Sequence, residues 1–428
     1  MRLGGRLSAA IEILHDIETR HRPAADALRD WGLSHRFAGA GDRAAIGNIV
    51  YDALRRRRAA AWLFDSDTPR ALAFGGLLME SGTAPETLNA SFANDRFAPP
   101  PLSETELNLL RARLGEDLPE GARANVPEWC EPLMRAAFGA DWIAEAAALS
   151  GRPPLDMRAN TLKASREKVL AALARCGAAA SRIASAGMRI APVAGDGRHP
   201  NVQAEPAFRK GWFEVQDEGS QIVTELAGAA PGEQVLDFCA GAGGKTLAMS
   251  AMMDNRGQIH AYDADRQRLA PIFERLKRAG CRNVQVVADK ERLAPLLGRM
   301  DLVLVDAPCT GSGTWRRRPD AKWRLTRQQM EARLAEQSAI LDSAVRYVRP
   351  GGRLGYVTCS IFREENAAQA EAFLARNPAF RLADHDAQWR KRFPAHAGAV
   401  RIDGGIVLSP ATTGTDGFYF ACFERGAE

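Results

Sequence analysis

Residues 235–246 read Val235-Leu236-Asp237-Phe238-Cys239-Ala240-Gly241-Ala242-Gly243-Gly244-Lys245-Thr246. A short apolar run ends in an aspartate, a glycine-rich turn follows, and a helical pattern begins at Lys245. The glycines let the backbone turn tightly and approach a ligand closely. Two familiar phosphate-binding loops are excluded by position. A Walker A loop needs glycine five residues before Gly244, where Cys239 stands. A dinucleotide-binding fingerprint needs its third glycine where Thr246 stands.

The third reading is the S-adenosylmethionine loop of a Rossmann-like methyltransferase. In such a domain an acidic residue at the end of the second strand takes the ribose hydroxyls. Asp263, in Tyr262-Asp263-Ala264-Asp265, has that place. Asp289 ends a third apolar run, within reach of ribose or adenine, and Asp306 ends a fourth.

The surrounding texture agrees. Val235–Cys239, Ile259–Tyr262, Val284–Ala288, Leu302–Val305 and Leu354–Val357 are continuous apolar runs, and Lys245–Met253, Arg266–Ala279 and Thr326–Tyr347 carry helical patterns between them. Buried strands alternating with helices predict a parallel sheet covered on both faces, with its ligands at the carboxyl strand ends. The tail, Gly405–Phe423, reads as two strands around a Gly414–Gly417 turn, an antiparallel edge.

Two further regions precede this domain, which is predicted over residues 211–428. Residues 1–145 read as all-helical, with apolar spacing in Ser8–Thr19 and Arg43–Phe64 and proline breaks at Pro99–Pro101 and Pro127. Residues 146–210 read as a small α+β module. It has a strand at Leu155–Ala159, a helix at Ser165–Cys176 with Ser165 as its N-cap and Gly177 behind it, and apolar stretches at Ser181–Ala184 and Met188–Pro192. The predicted fold class is therefore α/β, a Rossmann-like methyltransferase domain with a small α+β insert and an all-α N-terminal domain.

The formal charge of +5 on 428 residues is compatible with a nucleic-acid partner but weak as an argument. Its placement in two runs, Arg55–Arg58 and Arg316–Arg318, says more. The first run fits a solvated helix face as well as a phosphate contact, whereas the second lies close in sequence to Cys309 and favours phosphate. The seven cysteines form no CxxC pair, and the N-terminus lacks the apolar core of a signal peptide. These features predict reduced thiols in a cytoplasmic, monomeric protein with no membrane span. The scattered histidines predict no metal site.

Two cysteines stand apart from the rest. Cys309 follows the fourth strand in Asp306-Ala307-Pro308-Cys309, and Cys359 follows the fifth in Thr358-Cys359-Ser360. Neighbouring strands lie about 4.8 Å apart, so both thiols should face one crevice. Cys130, Cys176, Cys281 and Cys422 are read as small buried hydrophobes, and Cys239 as packed within the loop.

Asp306–Cys309, Thr358–Ser360 and Cys239–Thr246 together resemble the signature of the NOL1/NOP2/Sun family of RNA cytosine-5 methyltransferases. The likeness extends through Arg316–Asp320, Glu364-Glu365-Asn366, Thr415–Phe418, Leu155–Asn160 and Val215–Ser220, so that it covers roughly residues 125–425. It implies that Cys359 adds to C6 of cytosine while Cys309 assists release of the methylated base. Covalent addition splits one hard step into two easier ones. The thiolate needs an electropositive setting, for which Lys245 and Arg316–Arg318 are the candidates.

The resemblance also implies that Cys239, Ala240, Gly241, Ala242, Gly243, Gly244 and Lys245, with Asp263, Asp289 and Asp306, line the cofactor. Asp306 then serves the cofactor, the base or both. Ala242 departs from the family's usual proline, which would pre-set φ in the turn. The α+β module is similar to the family's RNA-recognition-like (RRM-like) insert, which makes Arg158, Asn160 and Lys163 candidate RNA contacts beside Arg316, Arg317 and Arg318. Asp42-Arg43 and Val50–Arg55 are similar to the NusB-like RNA-binding domain of the family's bacterial 16S ribosomal RNA members. Ribosomal RNA is thus the expected partner, with transfer RNA second. Two rivals remain. One is a DNA cytosine methyltransferase, in which the Pro-Cys cysteine, here Cys309, would be the nucleophile. The other is a non-catalytic RNA-binding assembly factor.

Overall fold

A computed structural model describes residues 1–398 and 400–427. Its chain forms two compact units. The first comprises Met1–Pro153, Pro192–His199 and Trp315–Leu325, and the second comprises the remainder.

The first unit is helical, as its apolar spacing predicts. Leu3–Arg20, Ala24–Ser34, Ala40–Arg55 and Pro69–Ser81 pack around Leu7, Ile13, Leu14, Ile46, Val50, Leu72 and Phe74. The pattern over Arg43–Phe64 predicts one helix, but the structure has two, divided at Arg56. The amide oxygen of Asn125 accepts from the Arg58 N–H at 2.9 Å and so satisfies a donor at the start of the second helix. The Arg55–Arg58 run is neutralised within the unit. Arg55 pairs with Asp52 at 2.9 Å, Arg56 with Glu80 at 2.7 Å, Arg57 with Glu18 at 2.9 Å and Arg58 with Glu131 at 2.5 Å. Neither a solvated helix face nor a phosphate contact describes the run, because each guanidinium is paired with a carboxylate of the unit.

The second unit holds two sheets among the described residues. The smaller has β1 (Leu155–Ala159), β2 (Ala179–Ala180), β3 (Gly187–Ile190) and β4 (Phe213–Val215) in the order β2-β3-β1-β4. Ser165 caps the Arg166–Ala172 helix by accepting from the Lys168 N–H at 3.3 Å. Phe213–Val215, expected inside the 211–428 domain, instead pairs with Leu155–Ala159 and completes the smaller sheet.

The larger sheet contains β5 (Gln234–Asp237), β6 (Gln258–Tyr262), β7 (Val284–Val287), β8 (Met300–Asp306), β9 (Val348–Thr358), β10 (Phe380–Leu382), β11 (Arg401–Ile402), β12 (Ile406–Leu408) and β13 (Phe418–Arg425). Its path runs β11-β12-β13-β9-β8-β5-β6-β7, with β10 also paired to β13. β5 to β9 are parallel, and β13 runs antiparallel against β9. The tail is antiparallel as expected, but β13 lies inside the sheet, because β12 and β11 extend it further. Strand order reverses at β5, which has β6 on one side and β8 on the other. In an open parallel sheet such a switch point opens a crevice at the carboxyl ends of the strands. The helical pattern over Arg266–Ala279 divides at Pro271, which has no N–H to give.

Among the described residues no helix is long and apolar enough to cross a membrane, and no cluster of His, Cys, Asp or Glu could hold a metal ion.

Candidate functional site

The loop after β5 lies at the switch point. Gly241 and Gly243 have φ of 50° and 83°, a region side chains disfavour. A Cβ on Gly243 would lie 2.5 Å from Ile272. The turn is therefore possible only with glycine at that position. Ala242 between them has no positive φ, so the absence of proline leaves the turn intact. The Asp263 carboxylate, at the end of β6, accepts from the Gly241 N–H at 2.8 Å and from the Asp265 N–H at 2.9 Å. It is buried and holds the loop in place while keeping further acceptor capacity. Asp289, after β7, is more open and pairs with Arg266. Asp306, at the end of β8, accepts from Lys245 Nζ at 2.6 Å. The Lys245 ammonium in turn stands 5.5 Å from the Phe418 ring.

Asp237, at the end of β5, completes this set, although it was not singled out from the sequence. It is fully buried, and burial pushes its carboxyl up to about 7. Thr246 Oγ1 donates to its Oδ2 at 2.6 Å, while its Oδ1 has no hydrogen-bond partner among the described residues. The signal was present in the sequence, because Asp237 ends its strand as Asp306 ends β8. A backbone turn with glycine at three of its positions, and acidic residues at four successive strand ends, suits S-adenosylmethionine. Carboxylates there could accept from its ribose hydroxyls and amino group, and their negative charge would favour its positive one.

Cys309 and Cys359 meet as expected, with their sulfurs 3.4 Å apart. Both are free thiols and half-buried. The hydrogen bond with Cys359, followed by burial, pushes the Cys309 thiol well above its usual range. Two further groups fix the loops that present them. Glu365, fully buried, accepts from the Thr310 N–H at 2.8 Å, from Thr310 Oγ1 at 2.5 Å and from Gln337 Nε2 at 3.0 Å. Asn366 accepts from Thr358 Oγ1 at 2.5 Å and donates to the Ser360 carbonyl at 2.9 Å. Each thus clamps the residues beside one cysteine. Sequence reading marked this stretch only as part of a family likeness. Burial pushes the Cys239 thiol well above its usual range, in keeping with a packed rather than reactive cysteine.

The expected RNA contacts divide. Arg158 is buried and donates to Gln216 at 2.7 Å, and desolvation lowers its guanidinium to about 10. Asn160 is buried and donates to the carbonyls of Gly211 and Ala279, both at 2.8 Å. These two side chains serve the fold and are not presented to a ligand. Lys163 is exposed, although its Nζ donates to the Arg278 carbonyl at 2.7 Å. The Arg316–Arg318 loop belongs to the helical unit, where Arg316 is buried, Arg317 half-buried and Arg318 exposed.

Residues 225–424 match the family described as 16S rRNA methyltransferase RsmB/F. Residues 126–192 match the ferredoxin-like domain of the same proteins. The ribosomal RNA small subunit methyltransferase B of Cronobacter sakazakii is 34% identical over 72% of this chain and 68% of its own length. The chain belongs to the RsmB/F methyltransferase family. The protein of the same name from Citrobacter koseri is 34% identical over 72% of this chain and 69% of its own. A solved methyltransferase homologue from Pyrococcus horikoshii superposes with a TM-score of 0.59 at 25% identity, over 76% of this chain and all of that one. RsmB/F membership makes the chain an RNA methyltransferase whose cofactor is S-adenosylmethionine.

Proposed function

We propose that the chain transfers a methyl group to C5 of a cytosine in ribosomal RNA through a covalent bond between Cys359 and C6. The observation that carries this reading is the 3.4 Å approach of Cys309 and Cys359 at the ends of adjacent parallel strands. The names of the RsmB/F relatives support ribosomal RNA as the substrate. S-adenosylmethionine, when bound, supplies an electrophilic methyl group. Cys239 to Lys245, Asp237, Asp263 and Asp289 would hold it, with Asp237 and Asp263 buried beneath the loop and Asp289 more open.

The chemistry of the base assigns the remaining roles. C5 of cytosine is a poor nucleophile until C6 carries an added thiolate. Attack by the Cys359 sulfur forms the S–C6 bond and moves electron density to C5, which can then accept the methyl group. Asp306 would take the exocyclic amine and N3 of the base and balance the charge that the ring gains on addition, and Lys245 at 2.6 Å fixes its orientation. Transfer of the C5 proton to a water molecule then lets its bonding pair expel the Cys359 sulfur and restores the aromatic ring. Cys309, held as a neutral thiol, lies close enough to donate to the Cys359 sulfur as it leaves. The target cytosine must be unpaired or turned out of its stack to reach this crevice. In this reading the helical unit, Lys163 and Arg318 contribute RNA contacts.

The test is methyl transfer itself. Purified protein, radiolabelled cofactor and unmodified ribosomal RNA should give 5-methylcytidine on nucleoside digestion. Label on another nucleoside, or none on any RNA, would sink the reading.

A further inference from the structure

The helical unit carries an open cavity of about 670 Å³ for which the mechanism has no use. Its walls include Glu12, Trp31, His35, Phe37, Arg96 and Phe97. Trp31 and His35 are stacked, with centroids 4.2 Å apart and planes 9° from parallel. Phe37 stands edge-on to His35 at 5.7 Å. Two of the rings are left in water, Phe37 at 72% and Phe97 at 63% exposure. Large apolar rings grouped at an open cavity commonly mark a binding surface.

The charges around the cavity select the ligand. The two acids in the wall are already engaged. Glu12 accepts from Trp31 Nε1 at 3.1 Å, and Asp95 accepts from the Gly5 and Phe97 N–H groups, both at 3.1 Å. Two nearby arginines are not so engaged. Arg96, in the cavity wall with its guanidinium 4.6 Å from the Phe97 ring, and Arg36, which precedes the wall residue Phe37 in sequence, are exposed and make no ion pair among the described residues. In the same unit Arg55 to Arg58 all have carboxylate partners. Exposed ring faces beside unpaired guanidinium groups suit unpaired nucleotides, in which a flat base and an anionic phosphate lie side by side.

We propose that this cavity seats an unpaired nucleotide of the RNA, with its base against Phe37 and Phe97 and its phosphate on Arg36 and Arg96. The inference rests on the reading of the chain as an RNA methyltransferase and adds a second binding point within the helical unit. Both rings are exposed, so their removal leaves the core intact.

The experiment titrates the full chain against a short labelled oligoadenylate, and against an RNA duplex of the same length, by fluorescence anisotropy. The double variant Phe37→Ala, Phe97→Ala should bind oligoadenylate about tenfold more weakly, with duplex binding and cofactor affinity unchanged. Arg36→Ala with Arg96→Ala should flatten the salt dependence of oligoadenylate binding by about one unit of slope per lost phosphate contact. Unchanged oligoadenylate affinity in the ring variant, or equal losses for single strand and duplex, would overturn the proposal. Methyl transfer by the unaltered chain, measured in parallel, separates failure of this site from failure of the reading beneath it.

Discussion

At the scale of single residues, the account rests on groups with one arrangement open to them. The Lys245–Asp306 pair is an example. If Asp306 holds the base and Lys245 holds Asp306, then Asp306→Asn should lower kcat by about a hundredfold, an ordinary effect for one acid–base group. Lys245→Met should do the same, and cofactor titration would show how much of either loss is in binding. Asp237 gives a pH test. Its carboxyl is raised to about 7 from an unfolded value near 4, so the fold holds it protonated. Its contribution to stability is fully present below about pH 4 and is lost as pH rises toward 7. Asp237→Asn removes that loss. The melting temperature of the variant relative to the parent should therefore rise between pH 4 and 7 and level off above. A difference that does not change with pH would show that Asp237 is not held protonated. The sequence offered Asp237 as plainly as Asp306, since both end apolar strands. What it could not show was Oδ1 buried without a partner, because burial depends on the packing of neighbouring strands.

At the scale of elements, the cysteine crevice depends on three chain segments meeting at backbone distance. The Gly313 N–H donates to the Cys359 carbonyl at 2.9 Å, and the Gly313 carbonyl accepts from the Gly417 N–H at 2.8 Å. A Cβ on Gly313 would lie 2.1 Å from the Gly417 carbonyl oxygen, so alanine there must part the Cys309 loop from the approach to β13. Gly313→Ala should reduce methyl transfer at least tenfold and lower the melting temperature, with cofactor affinity near that of the parent. A variant with full activity would show that the contact is dispensable. Glu365→Gln tests the same crevice from its other side. An amide in that place turns a donor toward Thr310 or Gln337 where a carboxylate oxygen now accepts, at a cost of about 1–3 kcal/mol in folding stability. These elements were legible in the sequence. The five apolar runs are β5 to β9 with ends moved by a few residues, and the Ser165 cap stands where its hydroxyl predicts. Strand pairing was less legible. Phe213–Val215 is a short strand that local pattern cannot assign to one sheet or another, and only its register with Met157–Ala159 decides the matter. Arg158 misled for a related reason. A charged residue on a short strand reads as exposed until the strand's inner face is known.

At the scale of the molecule, two compact units are built on different principles. One is a helical assembly whose arginines are largely paired with its own carboxylates, and the other is a mixed sheet with its chemistry at one set of strand ends. The sequence placed the chemistry in the sheet because strand-end residues are close in sequence to the strands that carry them. It did not foresee that residues 315–325 group with the helical unit, since nothing local marks where a loop packs. The proposed mechanism divides the labour between Cys359 and Cys309, and the most direct test separates the two. Each is replaced by alanine, the protein is incubated with ribosomal RNA and S-adenosylmethionine, and the products are run on a denaturing gel. Cys309→Ala should accumulate a covalent protein–RNA adduct, because Cys359 still attacks while release is slowed, and Cys359→Ala should form none. An adduct with Cys359→Ala but not with Cys309→Ala would contradict the account and make Cys309 the nucleophile.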